Sequence, residues 1–233
     1  MKRGAFLSQI TQFINELKSY KSNNVYNPWG DFDGNFDIGK EAPVIRCDHL
    51  KKYLGMRLHG AKYIFVAEAL GYQGGHFSGI AMTSERILLG YHPIVGSSVA
   101  IGGNGKRTSN SQHVNIKKTF QDKGYNEPTA TIVWETILKH CKSPLEVVLW
   151  NIFPFHPYGS TGILTNRTPS LAELGEGVTY LKNLHSIIPN TGIISIGAKS
   201  DKTLSNFGIA HSAVPHPAHG GANDFRTQIA KLL

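Results

Sequence analysis

Cysteine is scarce in this 233-residue sequence, in which Cys47 and Cys141 are the two cysteines and no CxxC spacing occurs. Two isolated thiols form neither a disulfide framework nor a four-thiolate metal centre. No run of about 18 apolar residues occurs, so a transmembrane helix is not expected. The start, MKRGAFLSQITQF, also lacks the long apolar segment of a signal peptide. These absences predict a protein of the reducing cytoplasm without membrane association.

Acidic residues are also few: 16 Asp and Glu stand against 24 Lys and Arg, for a formal net charge of +8. Excess positive charge favours polyanionic partners, because Lys and Arg neutralise phosphates and release counterions. The segment 102–118 holds Lys106, Arg107, Lys117 and Lys118 and no acid. It is either a solvated surface loop or a loop that contacts phosphates.

Complete nucleotide or metal motifs are missing as well. AIGGNGKR differs from a P-loop because Ala100 takes the first glycine position and Arg107 follows Lys106, where Ser or Thr is required. GYQGGH does not match the GxGxxG fingerprint. The histidines near the C-terminus (His211, His216 and His219) come without an HExxH-type ligand set. We therefore expect no cofactor and no metal, and keep a metal-dependent hydrolase as the weaker alternative.

What is present is an alternation of helical and strand patterns. Apolar runs predict buried strands at 63–67, 146–152, 193–197 and 212–215. Helical spacing and start signals, including Pro128 and a Ser170–Glu173 capping box, predict helices at 4–19, 45–58, 128–141, 170–187, 199–206 and 222–232. This order predicts an α/β sandwich around a parallel sheet. We expect one domain over 1–233, in which 1–44 form an N-terminal helix and an irregular connection.

Unusual loops follow three of the predicted strands. They span Glu68 to Phe77, Asn151 to Tyr158 and His216 to Gly221. Because ligands bind beyond the carboxyl ends of parallel strands, the three loops predict one shared site.

Two side chains of these loops have open interpretations. Asn151 is either a strand-end residue bonded to backbone or a reader of a nucleobase amide edge, since its amide offers both donors and an acceptor. His216, held between Pro215 and Pro217 before a glycine pair, is suited to polarising an oxygen on which charge develops.

A family resemblance rests on motifs that occur in one order along the chain. The set AEALG, GGHFSGIAMTSER, EPTATIVW, LWNIFPFHP, NRTPS and HPAHGG resembles the uracil-DNA glycosylase superfamily. It looks closest to the bacterial and archaeal branches whose first motif reads Gly-Glu-Ala-Pro-Gly. The resemblance implies a three-layer α/β/α sandwich with a short central parallel sheet. It also implies a monomeric enzyme that hydrolyses the bond between a damaged base and deoxyribose in DNA.

The resemblance implies roles for particular residues. Glu68, Asn151 and His216 would be catalytic, with Asn151 also reading the base. Phe77 would stack on the extruded base, Gly71 would lie beside it, and Tyr72 would exclude the methyl group of thymine. The residues that would contact DNA are Ser84, Arg167, Lys199, His219, Gly220 and Asn223, the segment from His219 to Asn223 entering the minor groove.

The first motif departs from the family pattern. Ala67 and Leu70 replace its first glycine and its proline, and two cysteines are too few for the iron–sulfur cluster of some branches. Uracil, hypoxanthine, xanthine and thymine opposite guanine all stay open as targets. One alternative is a damaged-base sensor that binds without releasing the base. A less favoured alternative is covalent attachment to DNA through His76, as in one unusual branch.

Overall fold

The computed structural model describes residues 2–218 and 220–233, with side chains described from Leu7 onward. Its helices are α1 (Lys2–Ser19), α2 (Ala42–Arg57), α3 (Gly75–Ser78), α4 (Glu85–Leu88), α5 (Ser97–Ile101), α6 (Lys118–Lys123), α7 (Pro128–His140), α8 (Leu171–Ile187), α9 (Ala198–Asn206) and α10 (Ala222–Leu232). Its strands are β1 (Val25–Tyr26), β2 (Tyr63–Ala69), β3 (Val147–Phe153), β4 (His156–Pro157), β5 (Gly192–Ile196) and β6 (Ser212–Val214). The helices and strands predicted from the sequence are confirmed, with small shifts at their ends.

The central sheet has four parallel strands in the order β3-β2-β5-β6. The chain runs from β2 outward to β3, returns past β2 to β5, and then continues outward to β6. Its direction therefore reverses between β2 and β5. In open parallel sheets, ligands bind beyond the carboxyl ends of the strands at such a reversal.

Helices cover this sheet and make the three-layer α/β/α arrangement expected from the motifs. Helices α2 and α8 pack on β3, and α9 packs on β5 and β2. Every residue of β3 is buried, as a strand covered on both faces requires. Within the described residues, no helix is long and apolar enough to cross a membrane.

The N-terminal segment packs onto the body of the protein. In α1, Ile10, Phe13, Ile14 and Leu17 are buried in the main core. Burying four such side chains contributes about 6–12 kcal/mol as an upper estimate. The irregular connection is shaped by the Asn27 side chain, whose amide donates to the Leu17 carbonyl at 2.8 Å.

A buried ion pair fixes the far end of the same connection. Arg46 on α2 bonds Asp37 at 2.7 Å, with both side chains excluded from solvent. Tyr26 donates to the same carboxylate at 2.6 Å, and its strand β1 pairs with β4. Residues from 26 to 46 and the loop after β3 thus form one connected interior network.

Candidate active site

One cavity of about 470 Å³ lies at the carboxyl ends of the strands. That volume is within the range of about 300–1,000 Å³ usual for small-molecule sites. Loops after β2, β3, β5 and β6 all contribute to its wall. The lining residues are Ala67, Glu68, Ala69, Leu70, Gly71, Met82, Glu127, Thr129, Asn151, Asn166, Arg167, Ile196, Gly197, Ala198, Lys199, Ser200 and His216. The fold therefore brings together Glu68, Gly71, Asn151 and His216, as the strand-end rule predicted.

Asn151 is the buried polar residue of the wall. It pairs with Ala67 across β3 and β2, near the end of β3, and is 2% exposed. Among the described residues, its Oδ1 has no hydrogen-bond partner. A buried amide oxygen left unpaired costs about 1–3 kcal/mol, so its position is suited to accepting a hydrogen bond from a ligand.

His216 stands on the opposite side of the sheet reversal, after β6, and is exposed. Its Nδ1 accepts from the Ala218 backbone N–H at 3.1 Å. In the neutral ring this bond places the proton on Nε2, which is then the donor. Gly197 makes room for the ring, because a Cβ there would lie 3.1 Å from the Cβ of His216.

Glu68 lies at the mouth of the cavity, where β2 ends. Its carboxylate is partly exposed and pairs with Lys199 Nζ at 3.3 Å. The same ammonium donates to Thr168 Oγ1 at 2.7 Å. The N-terminal turn of α9 thus holds a cation beside the acid, and Lys199, 62% exposed, also faces solvent.

Sequence reasoning gave no role to Glu127, although it quoted the motif that contains it. Glu127 precedes the first residue of α7 and makes no capping bond with its side chain. Its Oε2 is buried in the cavity wall and has no hydrogen-bond partner among the described residues. Burial raises the pKa of this carboxyl from 4.5 to about 7.

Met82 and Asn166 are two further lining residues that sequence reasoning missed. Met82 has a positive φ of 46°, a conformation that a non-glycine residue rarely adopts and that clusters at functional sites. The Asn166 side chain accepts from the Tyr72 backbone N–H at 3.1 Å and joins the loop after β2 to the segment before α8.

Phe77, which the resemblance implies would stack on the base, does not line the cavity in this structure. Phe77 is fully buried, it is not part of the cavity wall, and its ring stacks on Tyr125 at 4.1 Å. The short helix α3 carries it into the interior. Leu70, the residue in place of the family's proline, takes the wall position and packs tightly against Gly75. Tyr72 is half-buried and also outside the wall.

The expected DNA contacts fall into different environments. Ser84 is fully buried before α4, so it does not reach DNA in this conformation. Arg167 lies at the cavity but binds both carboxylate oxygens of Glu173, at 2.7 and 2.6 Å. Lys199, Gly220 and Asn223 are exposed. His219 lies outside the described residues.

Glu173 explains why Arg167 is held so firmly. Its Oε2 accepts from the Ser170 backbone N–H at 2.7 Å, and its own N–H donates to Ser170 Oγ at 3.2 Å. The predicted capping box is thereby confirmed at the start of α8. Arg167 extends this cap toward the cavity.

His76 is placed in the interior, away from the cavity wall. Its Nδ1–H donates to His156 Nδ1 at 2.8 Å, because His156 uses Nε2–H to donate to the Thr165 carbonyl at 2.7 Å. Burial lowers the pKa of both rings, that of His156 to about 4, so both are neutral at neutral pH. A buried ring in this pair is not positioned to attack DNA, which argues against the covalent alternative.

The metal alternative lacks a ligand set in the part of the chain that the structure describes. No group of three His, Cys, Asp or Glu side chains there is arranged to hold an ion. His211 is instead bonded to Asp201 at 2.9 Å and to the Ile209 carbonyl at 2.7 Å.

No protein-family model matches this chain, and no curated protein sequence matches it. A solved structure does. The crystal structure of wild-type SMUG2 from Pedobacter heparinus matches 97% of this chain and 96% of its own, with a TM-score of 0.64 and 14% sequence identity. The fold is therefore the uracil-DNA glycosylase-like α/β/α fold that the motifs implied.

Proposed function

We propose that this protein is a DNA glycosylase that extrudes uracil, or a related deaminated base, and hydrolyses its N-glycosidic bond. The observation that carries the proposal is the buried amide oxygen of Asn151, which has no hydrogen-bond partner among the described residues, in one cavity with Glu68 and His216. The uracil-DNA glycosylase-like fold supports it. The ordered motifs further support a place near the Gly-Glu-Ala-Pro-Gly branches.

Two of the three proposed catalytic residues would contact the base, and the third would act on the sugar. Asn151 accepts from the N–H of the flipped base, since its Oδ1 is otherwise unpaired. His216 Nε2–H donates to a carbonyl oxygen of the base while negative charge grows there, a contribution of about 2.7–4 kcal/mol for comparable donors. Glu68, at the mouth, stabilises the positive charge that develops on the sugar or orients the attacking water.

The reaction is a hydrolysis without a cofactor. The water oxygen bonds to C1′ while the C1′–N bond breaks and its electron pair leaves with the base. The proton released by water passes to a carboxylate or to solvent, and the base anion takes up a proton. Extruding the nucleotide costs a few kcal/mol, which phosphate contacts and contacts inside the cavity offset.

Phosphate binding falls to the exposed cations around the mouth. Lys199 is exposed at the cavity. Gly220, just before α10, and Asn223, in its first turn, are also exposed and follow His216 in the chain. The formal net charge of +8 favours association with DNA. Arg167 would act indirectly, by holding Glu173 and the segment that carries Asn166.

The test uses a labelled oligonucleotide with one central uracil, either single-stranded or paired with A or G, incubated in EDTA and then cleaved at abasic sites by alkali. We expect scission by the wild type and a loss of roughly 100- to 1,000-fold in Asn151→Ala and His216→Ala. Asn206→Ala and His140→Ala, the same changes on α9 and α7 away from the wall, should keep full activity. Absence of scission by the wild type on every strand form would refute catalysis on uracil.

A damaged-base sensor is the second candidate, and the Glu68–Lys199 pair at 3.3 Å favours it. A carboxylate already engaged by an ammonium is less available to activate water. This reading predicts uracil-selective binding by a wild type that releases no base. Electrophoretic mobility shift with uracil-containing and thymine-containing duplexes distinguishes it from an enzyme.

A further inference from the structure

We propose that Glu127 is a further recognition residue of this site, which donates a hydrogen bond to a carbonyl oxygen of the extruded base. The inference rests on the proposed glycosylase function and adds a residue that reads the extruded base. It begins with position. Glu127 lines the same cavity as Asn151, and in each residue one side-chain oxygen is buried without a partner among the described residues.

In each of these two residues one oxygen is shielded from solvent, although Glu127 as a whole is half-buried, like Glu68. Glu127 Oε2 and Asn151 Oδ1 are inaccessible to solvent. His216 and Lys199 are exposed, and Glu68 keeps about a quarter of its side chain exposed (26%). A base enters such a cavity first and the sugar stays at the mouth. Because one oxygen of Glu127 is shielded from solvent, we assign Glu127 to the base and the more exposed carboxylate of Glu68 to the sugar.

The surroundings of Glu127 favour its neutral form. The two cations of the cavity wall are already engaged, Lys199 by Glu68 and Arg167 by both oxygens of Glu173. The carboxyl group also lies tightly against Gly74, with no room for a Cβ there. Burial accordingly raises its pKa to about 7, so a large fraction carries a proton at neutral pH. A protonated carboxyl is a hydrogen-bond donor.

The donor of Glu127 and the acceptor of Asn151 together define a chemical class. A deaminated base presents a carbonyl oxygen next to a ring N–H, as uracil does at O4 and N3 and hypoxanthine at O6 and N1. That pattern pairs with one donor and one acceptor in the wall. Cytosine and adenine present the reverse pattern, an amino group next to a bare ring nitrogen. The pair of buried oxygens thus favours uracil over cytosine and hypoxanthine over adenine.

Two variants distinguish a Glu127 that recognises the base through a hydrogen bond from a Glu127 that acts as a catalytic carboxylate. Glu127→Gln keeps a donor and an acceptor but cannot ionise, whereas Glu127→Met keeps the length and has neither. We expect the Glu127→Gln variant to retain the kcat/KM for uracil within a few-fold. The kcat/KM of the Glu127→Met variant should fall roughly 10- to 100-fold, the range for the loss of a buried hydrogen bond. Glu135→Gln on the same helix, outside the cavity, is the matched control and should leave the rate unchanged. A Gln variant as inactive as Met would overturn the proposal in favour of a catalytic carboxylate.

The pH profile provides a second readout. Glu127 donates only while protonated, so wild-type activity should fall as pH rises through about 7, and Glu127→Gln should lack that fall. The other titratable groups of the wall are Glu68, Arg167, Lys199 and His216, and both proteins keep them. The folded-state pKa is raised, so wild-type stability should also decline relative to Gln between pH 4.5 and about 7. Identical activity and stability profiles in the two proteins would contradict the proposal.

Binding of an uncleavable duplex keeps this inference distinct from the proposed function. With 2′-fluoro-deoxyuridine at the target, we expect Glu127→Met to bind roughly 10-fold or more weaker than the wild type and Glu127→Gln to bind alike. A wild type that binds the analogue selectively but releases no base would refute the enzyme and still test Glu127. Equal binding by the wild type and the Glu127→Met variant would refute the role of Glu127 and leave the proposed glycosylase function intact. No selectivity of the wild type over thymidine duplex would refute both.

Discussion

Single side chains of the cavity differ in how the fold holds them. Asn151 is fixed by a strand that is buried along its whole length. His216 depends on its loop, through the bond from the Ala218 N–H to its Nδ1 and through the space that Gly197 leaves. The imidazole is therefore the more easily displaced of the two. Changes in the backbone near it should therefore lower catalysis as well as stability.

Gly197→Ala tests that dependence. Gly197 has a φ of +90°, and an added Cβ would lie 3.1 Å from the His216 Cβ, so the ring must shift. We expect a loss of about 1–3 kcal/mol in stability from the strained φ and at least a roughly tenfold loss in kcat from the displaced donor. Activity and urea unfolding are measured together.

Gly208→Ala is the control for Gly197→Ala. Its φ is +64°, and an added Cβ would meet nothing within 4 Å. It should also lose stability, by about 1–2 kcal/mol for a left-handed φ, while its activity per folded molecule stays unchanged. Equal activity losses in the two variants would show that strain alone, and not the position of His216, explains the effect.

Regular elements were the part of the fold that sequence patterns predicted well. Long segments such as α8 carry both a capping box and a helical apolar period, and β3 is a continuous apolar run. The short helices between residues 75 and 123 were not predicted, because four to six residues give no period to detect. Buried polar groups shape that region instead: Glu85 accepts from the backbone N–H groups of Thr108 and Ser109 at 2.7 and 2.9 Å.

Breaking the buried Arg46–Asp37 pair should destabilise the fold more than breaking an exposed ion pair. Removing one partner leaves an unpaired charge in the interior, so Asp37→Asn or Arg46→Met should each cost about 3–5 kcal/mol in the free energy of unfolding. The measurement is urea denaturation of the wild type and both variants. The exposed Lys52–Asp48 pair at 2.7 Å is the comparison, and Lys52→Ala should cost less than about 1 kcal/mol. Similar costs for Arg46→Met and Lys52→Ala would contradict this assignment.

At the scale of the whole molecule, the sequence predicted those parts of the site whose position depends only on the order and direction of the strands. Parallel strands end on one edge, so Glu68, Asn151 and His216 were expected together and lie in one cavity. Glu127 was missed because its place depends on how the start of α7 meets the sheet edge, which no local pattern encodes. Phe77 was misplaced because α3 turns its ring inward onto Tyr125.

Net charge leads to a prediction about salt. If Lys199 contacts a phosphate at the cavity mouth, Lys199→Ala should weaken DNA binding. The plot of the logarithm of the binding constant against the logarithm of the salt concentration should then be less steep by about one. Lys202→Ala, an exposed change on the same helix outside the cavity wall, should alter the slope less. Titrations by fluorescence anisotropy at several salt concentrations decide between them. Equal slopes for the two variants would remove Lys199 from the DNA interface.

The ribbon of β1 and β4 has a consequence for the order in which the molecule assembles. It joins Val25 to Pro157, partners far apart in sequence, directly after the strand that carries Asn151. Closing so long a loop is entropically costly and therefore late in folding. Tyr26 of this ribbon also stacks on His76 at 4.1 Å, which links the ribbon to the histidine pair beside the site. Val25 and Tyr26 thus complete the backbone pairing of the segment that follows the strand carrying Asn151, although they lie more than 120 residues before it in the sequence.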